Sequence, residues 1–308
     1  MINFAGIFPG QGSQKIGMGK DFFEYSKIAR EMVERASNRL DIDFENLLFQ
    51  ENDDLEKTQF SQASILLVSM IAYKLFSMQV SRPPLYFLGH SLGEFSALSA
   101  TGSLGYLDAI ELVYYRGQFM TEACEGQNAG MMALLGLSDA VCESVVEKAQ
   151  KQGKKIWIAN YNNDGQIVIA GNKEDIKAME NTFKEEGAKR AVLLKMSVAS
   201  HCPMLQAAQP KLRVSLERWV GDEFRAPIIS NVTAKAYESK ADAITLLEKQ
   251  LIMPVCYKQS IKSIENDVDL YVEFGGNVLR GINKKITTKK TVSITDMATL
   301  EKAILEFA

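Results

Sequence analysis

Residues 85–100, LYFLGHSLGEFSALSA, decide the fold of this chain. The apolar run 85–88 predicts a short buried strand, and residues with helix-forming composition begin at Glu94. Between them stands GHSLG, residues 89–93, which is a G-x-S-x-G motif. A strand, this motif and a helix in that order are typical of a nucleophile elbow, whose turn is so tight that larger side chains beside the serine would collide.

The elbow would hold the hydroxyl of Ser91 clear of the sheet, at the positive end of the following helix. There the backbone N–H of Leu92 would be free to donate a hydrogen bond to a developing oxyanion. The pattern favours a serine nucleophile. The alternative is an ordinary strand-to-helix turn that needs small residues for steric reasons alone.

The chain contains two histidines, His90 and His201, and a serine nucleophile needs a base. His90 directly precedes the serine, so its side chain is predicted to point away from the hydroxyl. His201 lies in a loop before a helix predicted to begin near Pro203, which is a usual place for a catalytic base. If Ser91 is catalytic, the base is predicted to be His201; a structural histidine is the alternative.

Arg116 falls on the apolar stripe of a helix predicted over residues 106–125. A guanidinium keeps its charge, so burial obliges it to find an anion. The pattern leaves two interpretations open. Arg116 forms an internal salt bridge or extends to water, or it waits for the carboxylate of a substrate and grips it with two hydrogen bonds.

The composition is ordinary for a globular protein: 308 residues, 46% hydrophobic, 24% charged, with net charge −3. This balance gives no electrostatic reason to expect nucleic acid or a membrane surface as a partner. No signal peptide is predicted, and the most apolar stretch, 63–73, is expected to be too short to span a bilayer. The four scattered cysteines lack metal-ligand spacing, so no metal is expected and reduced thiols in a cytoplasmic enzyme are predicted.

Strands and helices alternate on both sides of residues 129–196, which predicts an α/β core with a parallel sheet. Within 129–196 the predicted order is β-α-β-β-α-β, typical of a ferredoxin-like or split βαβ unit. We therefore expect a hydrolase-like catalytic subdomain, 1–128 and 197–308, with the smaller subdomain inserted into it. Residues 160–165, NYNNDG, are predicted to form a turn.

Several segments together resemble the malonyl-CoA:acyl carrier protein transacylases of fatty acid synthesis. They are FPGQGSQ at 8–14, GHSLGE at 89–94, YRGQFM at 115–120, NYN at 160–162 with GQIV at 165–168, and SH at 200–201. The resemblance runs from Met1 to near the C-terminus and covers both predicted subdomains. Read alone, the Gly-rich loop 9–14 lacks the spacing of known phosphate-binding loops and predicts only an ordinary loop.

The resemblance implies a ping-pong transfer without a cofactor. Ser91 would attack the thioester of malonyl-CoA while His201 takes its proton, and the malonyl-serine ester would pass its acyl group to the phosphopantetheine thiol of acyl carrier protein. Arg116 would bind the malonyl carboxylate. A monomer is expected.

The resemblance also implies roles for backbone groups and for the wall of the pocket. The N–H groups of Gln11 and Leu92 would hold the oxyanion, and the main-chain carbonyl of Gln250 would orient the histidine. Possible substrate-loop residues are Asn160, Asn162 and Ser200. Because carrier proteins are acidic, a basic patch at the cleft mouth is predicted from the lysines at 284, 285, 289 and 290, with solvated lysines as the equal alternative.

Three other functions remain open at this point. A serine thioesterase or hydrolase would share the elbow, although Arg116 and the missing acid between Ser91 and His201 argue against it. A polyketide-dedicated acyltransferase would use the same residues. A catalytically idle scaffold for carrier proteins would need none of these chemical groups.

Overall fold

Within residues 2–196 and 198–308, which the computed structural model describes, the chain forms a six-stranded sheet and a four-stranded sheet. In chain order the strands are β1 (Phe4–Phe8), β2 (Tyr86–Gly89), β3 (Ala129–Leu135), β4 (Ile156–Asn163), β5 (Gln166–Asn172), β6 (Arg190–Leu193), β7 (Ile228–Ile229), β8 (Ala236–Tyr237), β9 (Leu270–Phe274) and β10 (Lys290–Ile294).

Helices surround both sheets. In chain order they are α1 (Lys20–Tyr25), α2 (Lys27–Leu40), α3 (Phe44–Phe49), α4 (Thr58–Ser77), α5 (Leu92–Thr101), α6 (Tyr106–Cys124), α7 (Asp139–Lys151), α8 (Lys173–Ala178), α9 (Glu180–Glu185), α10 (Gln209–Trp219), α11 (Lys240–Gln250), α12 (Tyr257–Ile264), α13 (Val278–Asn283) and α14 (Met297–Leu305). Short 3-10 helices occupy Asp54–Glu56 and Pro203–Ala208.

The six-stranded sheet has the order β10-β9-β1-β2-β7-β8, with parallel pairs from β10 to β7 and an antiparallel edge strand β8. Strand β1 is buried along its whole length. Phe4 and Phe8 pack into one hydrophobic cluster and Ala5 and Ile7 into another, because successive side chains of a strand point to opposite faces. A sheet covered on both faces in this way is typical of an α/β protein, and the predicted parallel-sheet core is confirmed.

The four-stranded sheet is antiparallel, with the order β4-β5-β3-β6. One face packs on α7, α8 and α9 in a cluster of its own that includes Met132 and Ile169. The alternate residues Met131 and Val168 point the other way, into the core that the larger sheet shares. This second face therefore forms a wall opposite the carboxyl ends of β1 and β2.

Strand β4 is joined to the segment that precedes α12. Val255 accepts a hydrogen bond from the N–H of Tyr161 at 2.9 Å, and its own N–H donates to the carbonyl of Ala159 at 2.8 Å. The ammonium of Lys258, on α12, donates to Asp139 at 2.5 Å and to Asp164 at 3.0 Å. These contacts fix the position of the small sheet over the large one.

Two predicted secondary-structure elements of residues 129–196 differ from those in the structure. The predicted turn at 160–165 is wrong for its first four residues, which belong to β4; the pairing with β5 continues to Asn163, so the turn is confined to Asp164 and Gly165. The second helix predicted within residues 129–196 is divided at Met179 into α8 and α9.

Helix α4 contains the apolar stretch 63–73 and extends beyond it in both directions. Among the described residues it is the one helix with the length and apolarity of a membrane span, by length and composition alone. Its most apolar window is 78% buried inside the protein, where it packs against α5 and α6. Helix α4 is therefore a core helix of the protein.

The four lysines of the predicted basic patch lie in two places. Those at 289 and 290 lie at the start of β10, where Lys290 is level with Leu270 and, through β9, with Phe4. This is the amino end of the parallel strands, opposite the end that leads to Ser91. Lys290 is also paired with Glu306. The prediction that all four lysines surround the mouth of one cleft was therefore wrong.

Helices α4 and α6 approach so closely that a glycine is required between them. A Cβ atom at position 117 would lie 2.5 Å from the Cα of Gln59. We predict that Gly117→Ala lowers the free energy of unfolding by roughly 1–3 kcal/mol, because the helices must separate. The measurement is chemical denaturation. Gly281→Ala is the control: position 281 is helical with open space around it, so alanine should be neutral or stabilising by up to about 1 kcal/mol.

Candidate active site

Ser91 occupies the junction between β2 and α5 in a strained backbone conformation, φ 53° and ψ −106°. The flanking glycines are required by contact. A Cβ at position 89 would lie 2.0 Å from the carbonyl carbon of Gly93, and one at position 93 would lie 2.0 Å from the carbonyl oxygen of Phe8. The N–H of Ser91 donates to Oδ1 of Asn231 at 2.7 Å. The predicted elbow is present, and contacts with neighbouring segments fix its conformation.

His201 lies against the serine. Its Nε2 is 2.7 Å from Oγ of Ser91, and its Nδ1 is 2.7 Å from the main-chain oxygen of Gln250. A carbonyl oxygen only accepts hydrogen bonds, so Nδ1 carries the proton and Nε2 is the acceptor for the serine hydroxyl. Both contacts that the sequence resemblance implied for His201 are therefore formed. His90 instead bonds Asn162 through its Nε2 at 2.7 Å.

Gln11 and Leu92 come from two separate segments and line the same cavity as Ser91. Neither the N–H of Gln11 nor that of Leu92 donates a hydrogen bond within the described part of the chain. Both residues line a cavity of about 250 Å³ that also contains Ser91 and His201. The loop comes this close because residue 10 is glycine: a Cβ there would lie 2.3 Å from the carbonyl oxygen of His90.

Arg116 is buried beside the nucleophile, with 1% of its surface exposed. Its Nη1 donates to Oε1 of Gln62 at 2.8 Å, and its Nη2 to Oε1 of Gln250 at 3.1 Å and to Oγ of Ser91 at 3.4 Å. Among the described residues no carboxylate lies within 4.0 Å of the guanidinium. The internal salt bridge is therefore excluded for this part of the chain.

Burial affects the pKa of both basic side chains next to the serine. It lowers the pKa of Arg116 to about 10, although the nearby Glu94 raises it. It also lowers the pKa of His201 to about 3, with the positive charge of Arg116 acting in the same direction and the hydrogen bond to Gln250 against it. At neutral pH Arg116 is thus charged and His201 is neutral, ready to accept a proton.

The remaining predicted residues line the same cavity. Asn160 and Asn162 lie on β4, in the wall opposite the elbow, and Ser200 directly precedes His201. All three are at least nine-tenths buried. Every residue that the sequence singled out as a candidate for the site, apart from Gln250, lines this cavity, and Gln250 reaches it through its hydrogen bonds to His201 and Arg116.

Three further residues contact the site and were not found in the sequence. Gln62 bonds Arg116, Asn231 bonds the elbow, and the buried carboxyl of Glu94 bonds both Asn231 and Gln250. Glu94 belongs to the GHSLGE segment, and this membership is the one sequence signal that could have pointed to it. Nothing in the surrounding sequence distinguishes Gln62 or Asn231 from an ordinary buried amide.

Comparisons with known proteins show the family to which this chain belongs. Residues 6–298 match the acyl transferase domain family. The malonyl CoA-acyl carrier protein transacylase of Bacillus subtilis is 36% identical over 99% of this chain and 97% of its own length. The chain belongs to the malonyl CoA-acyl carrier protein transacylase family. The Escherichia coli K12 transacylase is also 36% identical, over 99% of this chain and all of its own.

Solved transacylases have the same fold. The Helicobacter pylori malonyl-CoA:acyl carrier protein transacylase is 46% identical, with a TM-score of 0.96 over 100% of this chain and 98% of its own. A malonyl-transacylase in complex with a type II polyketide acyl-carrier protein is 33% identical, with a TM-score of 0.95 over 99% of each chain. The mixed α/β architecture with its parallel sheet is therefore that of the transacylase family.

The protonation state of the histidine rings tests the electrostatics of the site directly. Because burial lowers the pKa of His201 to about 3, we predict that its ring gains no proton between pH 5 and 8. Two-dimensional NMR of ¹⁵N-histidine-labelled protein should show a neutral His201 ring with its proton on Nδ1. His90→Gln assigns the signals. A His201 signal that titrates near its ordinary pKa of about 6.5 would contradict the buried geometry.

Proposed function

We propose that this chain transfers the malonyl group of malonyl-CoA to the phosphopantetheine thiol of an acyl carrier protein, through an ester on Ser91. The observation that carries the proposal is the buried guanidinium of Arg116, which lies beside the nucleophile with no carboxylate partner among the described residues. A transferase of carboxylated acyl groups has a use for that charge, whereas a hydrolase of neutral esters has none.

In the first half-reaction Ser91 Oγ attacks the carbonyl carbon of the thioester while Nε2 of His201 takes the hydroxyl proton. The N–H groups of Gln11 and Leu92 hold the negative oxygen of the tetrahedral intermediate. The carbon–sulfur bond then breaks, and His201 returns the proton to the sulfur of coenzyme A. The products are a malonyl-serine ester and the free thiol.

The second half-reaction repeats the same steps with the carrier protein. The phosphopantetheine thiol gives its proton to His201, and its sulfur attacks the ester carbonyl. The bond from carbon to Ser91 Oγ breaks, and the serine takes the proton back from the imidazole. The acyl group is now a thioester on the carrier, and the dyad is restored without any cofactor.

Arg116 connects recognition to chemistry in this proposal. A malonyl carboxylate in the cavity pairs with the guanidinium and replaces the amide oxygens that hold it now. The same pairing compensates the positive charge that helps to keep the pKa of His201 low. A carboxylated substrate therefore makes the base stronger when it binds, which a neutral acyl group does not.

The asparagines and the serine of the cavity wall are proposed to contact the acyl chain. Oδ1 of Asn162 is occupied by His90, so its amide N–H groups remain to donate to an acyl oxygen. Asn160 lies on the same strand, and Ser200 precedes the base. Their positions in the lining support this role.

We infer that residues 129–196 are a ferredoxin-like subdomain inserted into a hydrolase-like subdomain made of 1–128 and 197–308. Support comes from the antiparallel order β4-β5-β3-β6, the helices on one face, and a separate hydrophobic cluster. A single chain supplies the complete site, which supports a functional monomer. Free cysteines and relatives named as carrier-protein enzymes support a cytoplasmic location.

Polyketide synthesis is a second candidate pathway. One structural neighbour of this chain is a malonyl-transacylase bound to a type II polyketide carrier, and it covers the whole chain at 33% identity. The chemistry proposed for Ser91, His201 and Arg116 is the same in either pathway. Transfer rates to carriers of the two types distinguish them.

The first test is the intact mass of the protein after incubation with malonyl-CoA in the absence of a carrier. We expect a malonyl adduct that accumulates, discharges to a phosphopantetheine thiol and is absent from Ser91→Ala. Free coenzyme A and malonate without an adduct would identify a hydrolase. If neither an adduct nor turnover is observed, the remaining interpretation is a catalytically idle scaffold that binds carrier proteins.

The second test concerns selectivity. We expect Arg116→Ala to lose malonyl transfer and to tolerate acetyl or longer acyl groups better, because the carboxylate would be buried without its partner. The expected loss against malonyl is about 2–5 kcal/mol in kcat/KM. Competition between malonyl-CoA and acetyl-CoA measures the ratio directly. An unchanged ratio would mean that Arg116 has a structural role only.

A further inference from the structure

Glu94 is a buried carboxyl group to which the proposed mechanism assigns no role. It lies on α5, one turn after Ser91, and none of its surface is exposed. Its Oε2 accepts a hydrogen bond from Nε2 of Gln250 at 2.7 Å and from the N–H of Asn231 at 3.1 Å. Burying an ionisable group is costly, so its presence one turn from the nucleophile requires a reason.

Asn231, the first partner of Glu94, holds both sides of the elbow. Its Oδ1 accepts the N–H of Ser91, and its Nδ2 donates to the carbonyl of Gly89, each at 2.7 Å. A serine at φ 53° persists only where its surroundings determine its conformation. Asn231 supplies that constraint, and the bond from its own N–H to Glu94 fixes Asn231 in turn.

Gln250, the second partner, holds the base and the guanidinium. Its main-chain oxygen accepts from His201, and its Oε1 accepts from Arg116 at 3.1 Å. Its Nε2 donates to Glu94 and also to the carbonyl of Ser91 at 3.0 Å. The amide of Gln250 therefore lies between a positive and a negative side chain, and its orientation is set by both.

We propose that Glu94 is a positioning residue of the acyl transfer, which acts by fixing Asn231 and Gln250 and thereby holds Ser91 in line with His201. It is not a catalytic residue, because its contacts are to Asn231 and Gln250 rather than to the reacting atoms. This inference rests on the proposed function. It predicts that neutralising Glu94 slows attack by Ser91 while binding of malonyl-CoA is retained.

The charge of Glu94 gives the proposal a measurable pH dependence. Burial raises the pKa of Glu94 to about 7, while Gln250, Asn231, Tyr237 and the charge of Arg116 lower it. The charged or titratable groups near it are thus Arg116 on α6 and Tyr237 on β8, with His201 beyond Gln250. In the free protein His201 stays neutral far below pH 7, so an acidic limb near pH 7 in the acylation rate at low malonyl-CoA concentration belongs to Glu94.

Glu94→Gln is the variant that separates positioning from support of the fold. The hydroxyl of Tyr237 interacts with the carboxyl of Glu94, and neither this hydroxyl nor Oε1 of Glu94 has another partner in the described residues, so an amide keeps a polar neighbour there. A carboxyl whose pKa is raised by folding stabilises the protein below its unfolded pKa, and this stabilisation is lost as the pH rises through 7. Glutamine has no such loss, so the variant should melt at or above the wild-type temperature at pH 8.

The experiment compares wild type, Glu94→Gln and the control Ser96→Ala across pH 5.5–8.5. Ser96 is also buried on α5, and its hydroxyl has no partner in the described residues. Rapid-quench mass spectrometry with malonyl-CoA gives the acylation rate, and a neutral fluorophosphonate reports the reactivity of Ser91 independently. We expect Glu94→Gln to acylate at least tenfold more slowly at pH 8, to keep KM within twofold and to lose the limb near pH 7.

The possible outcomes have distinct meanings. Ser96→Ala should match the wild type, limb included. A Glu94→Gln variant with wild-type rate and limb would overturn the proposal, as would a slow variant that also melts lower at every pH, because that result describes structural support alone. If Glu94→Gln cannot be purified, a wild-type acylation rate without a limb near pH 7 overturns it equally. If wild type forms no malonyl adduct, the proposed function fails, and fluorophosphonate labelling still tests Glu94.

Discussion

The close approach of the carboxyl ends of β1 and β2 is the constraint on which the rest of the site depends. A Cβ at Gly93 would lie 2.0 Å from the carbonyl oxygen of Phe8, and one at Gly10 would lie 2.3 Å from that of His90. Only glycines permit this distance. As a result, Gln11 and Leu92, which belong to separate segments, line one cavity, and their backbone N–H groups donate no hydrogen bond within the described chain.

Such convergence has an energetic consequence. Three features are each unfavourable in the resting protein: backbone N–H groups without acceptors in the described chain, a serine at φ 53°, and a charged Arg116 without an ion-pair partner in the same residues. The sheet buried on both faces and the hydrophobic cluster that includes Phe8 and Phe87 supply the stability against which these costs are set. In the proposed transfer, these same features would stabilise a transition state and bind an anion, which gives the unfavourable resting state a use.

The features that sequence alone could predict are local ones. The elbow was found because a strand, two glycines and a helix are adjacent along the chain, and Arg116 because a helical period of 3.6 places it on an apolar stripe. His201 was identified by elimination between two histidines, with no knowledge of its position. Gln11 and Gln250 were found through family resemblance, since backbone groups leave no mark in residue type.

The features that sequence missed depend on contacts between distant segments. Asn231 meets Ser91 across 140 positions, and Gln62 meets Arg116 across 54, so neither interaction has a periodic signal. The lysines at 289 and 290 were misplaced for a related reason. They are close along the chain to the lysines at 284 and 285, which suggested a single patch. Strand β10 runs parallel to β9, however, so it begins at the end of the sheet that is far from Ser91.

The position of Gln250 explains why a carbonyl, rather than a carboxylate, orients the base in this site. The oxygens of this single residue accept hydrogen bonds from both His201 and Arg116. A carboxylate in the same place would lie within reach of the guanidinium and form the ion pair that the described residues lack. That pair would compete with the carboxylate of a substrate. A neutral carbonyl fixes the tautomer of His201 and leaves the charge of Arg116 for its ligand, while the nearest acid, Glu94, is held back behind the amide of Gln250.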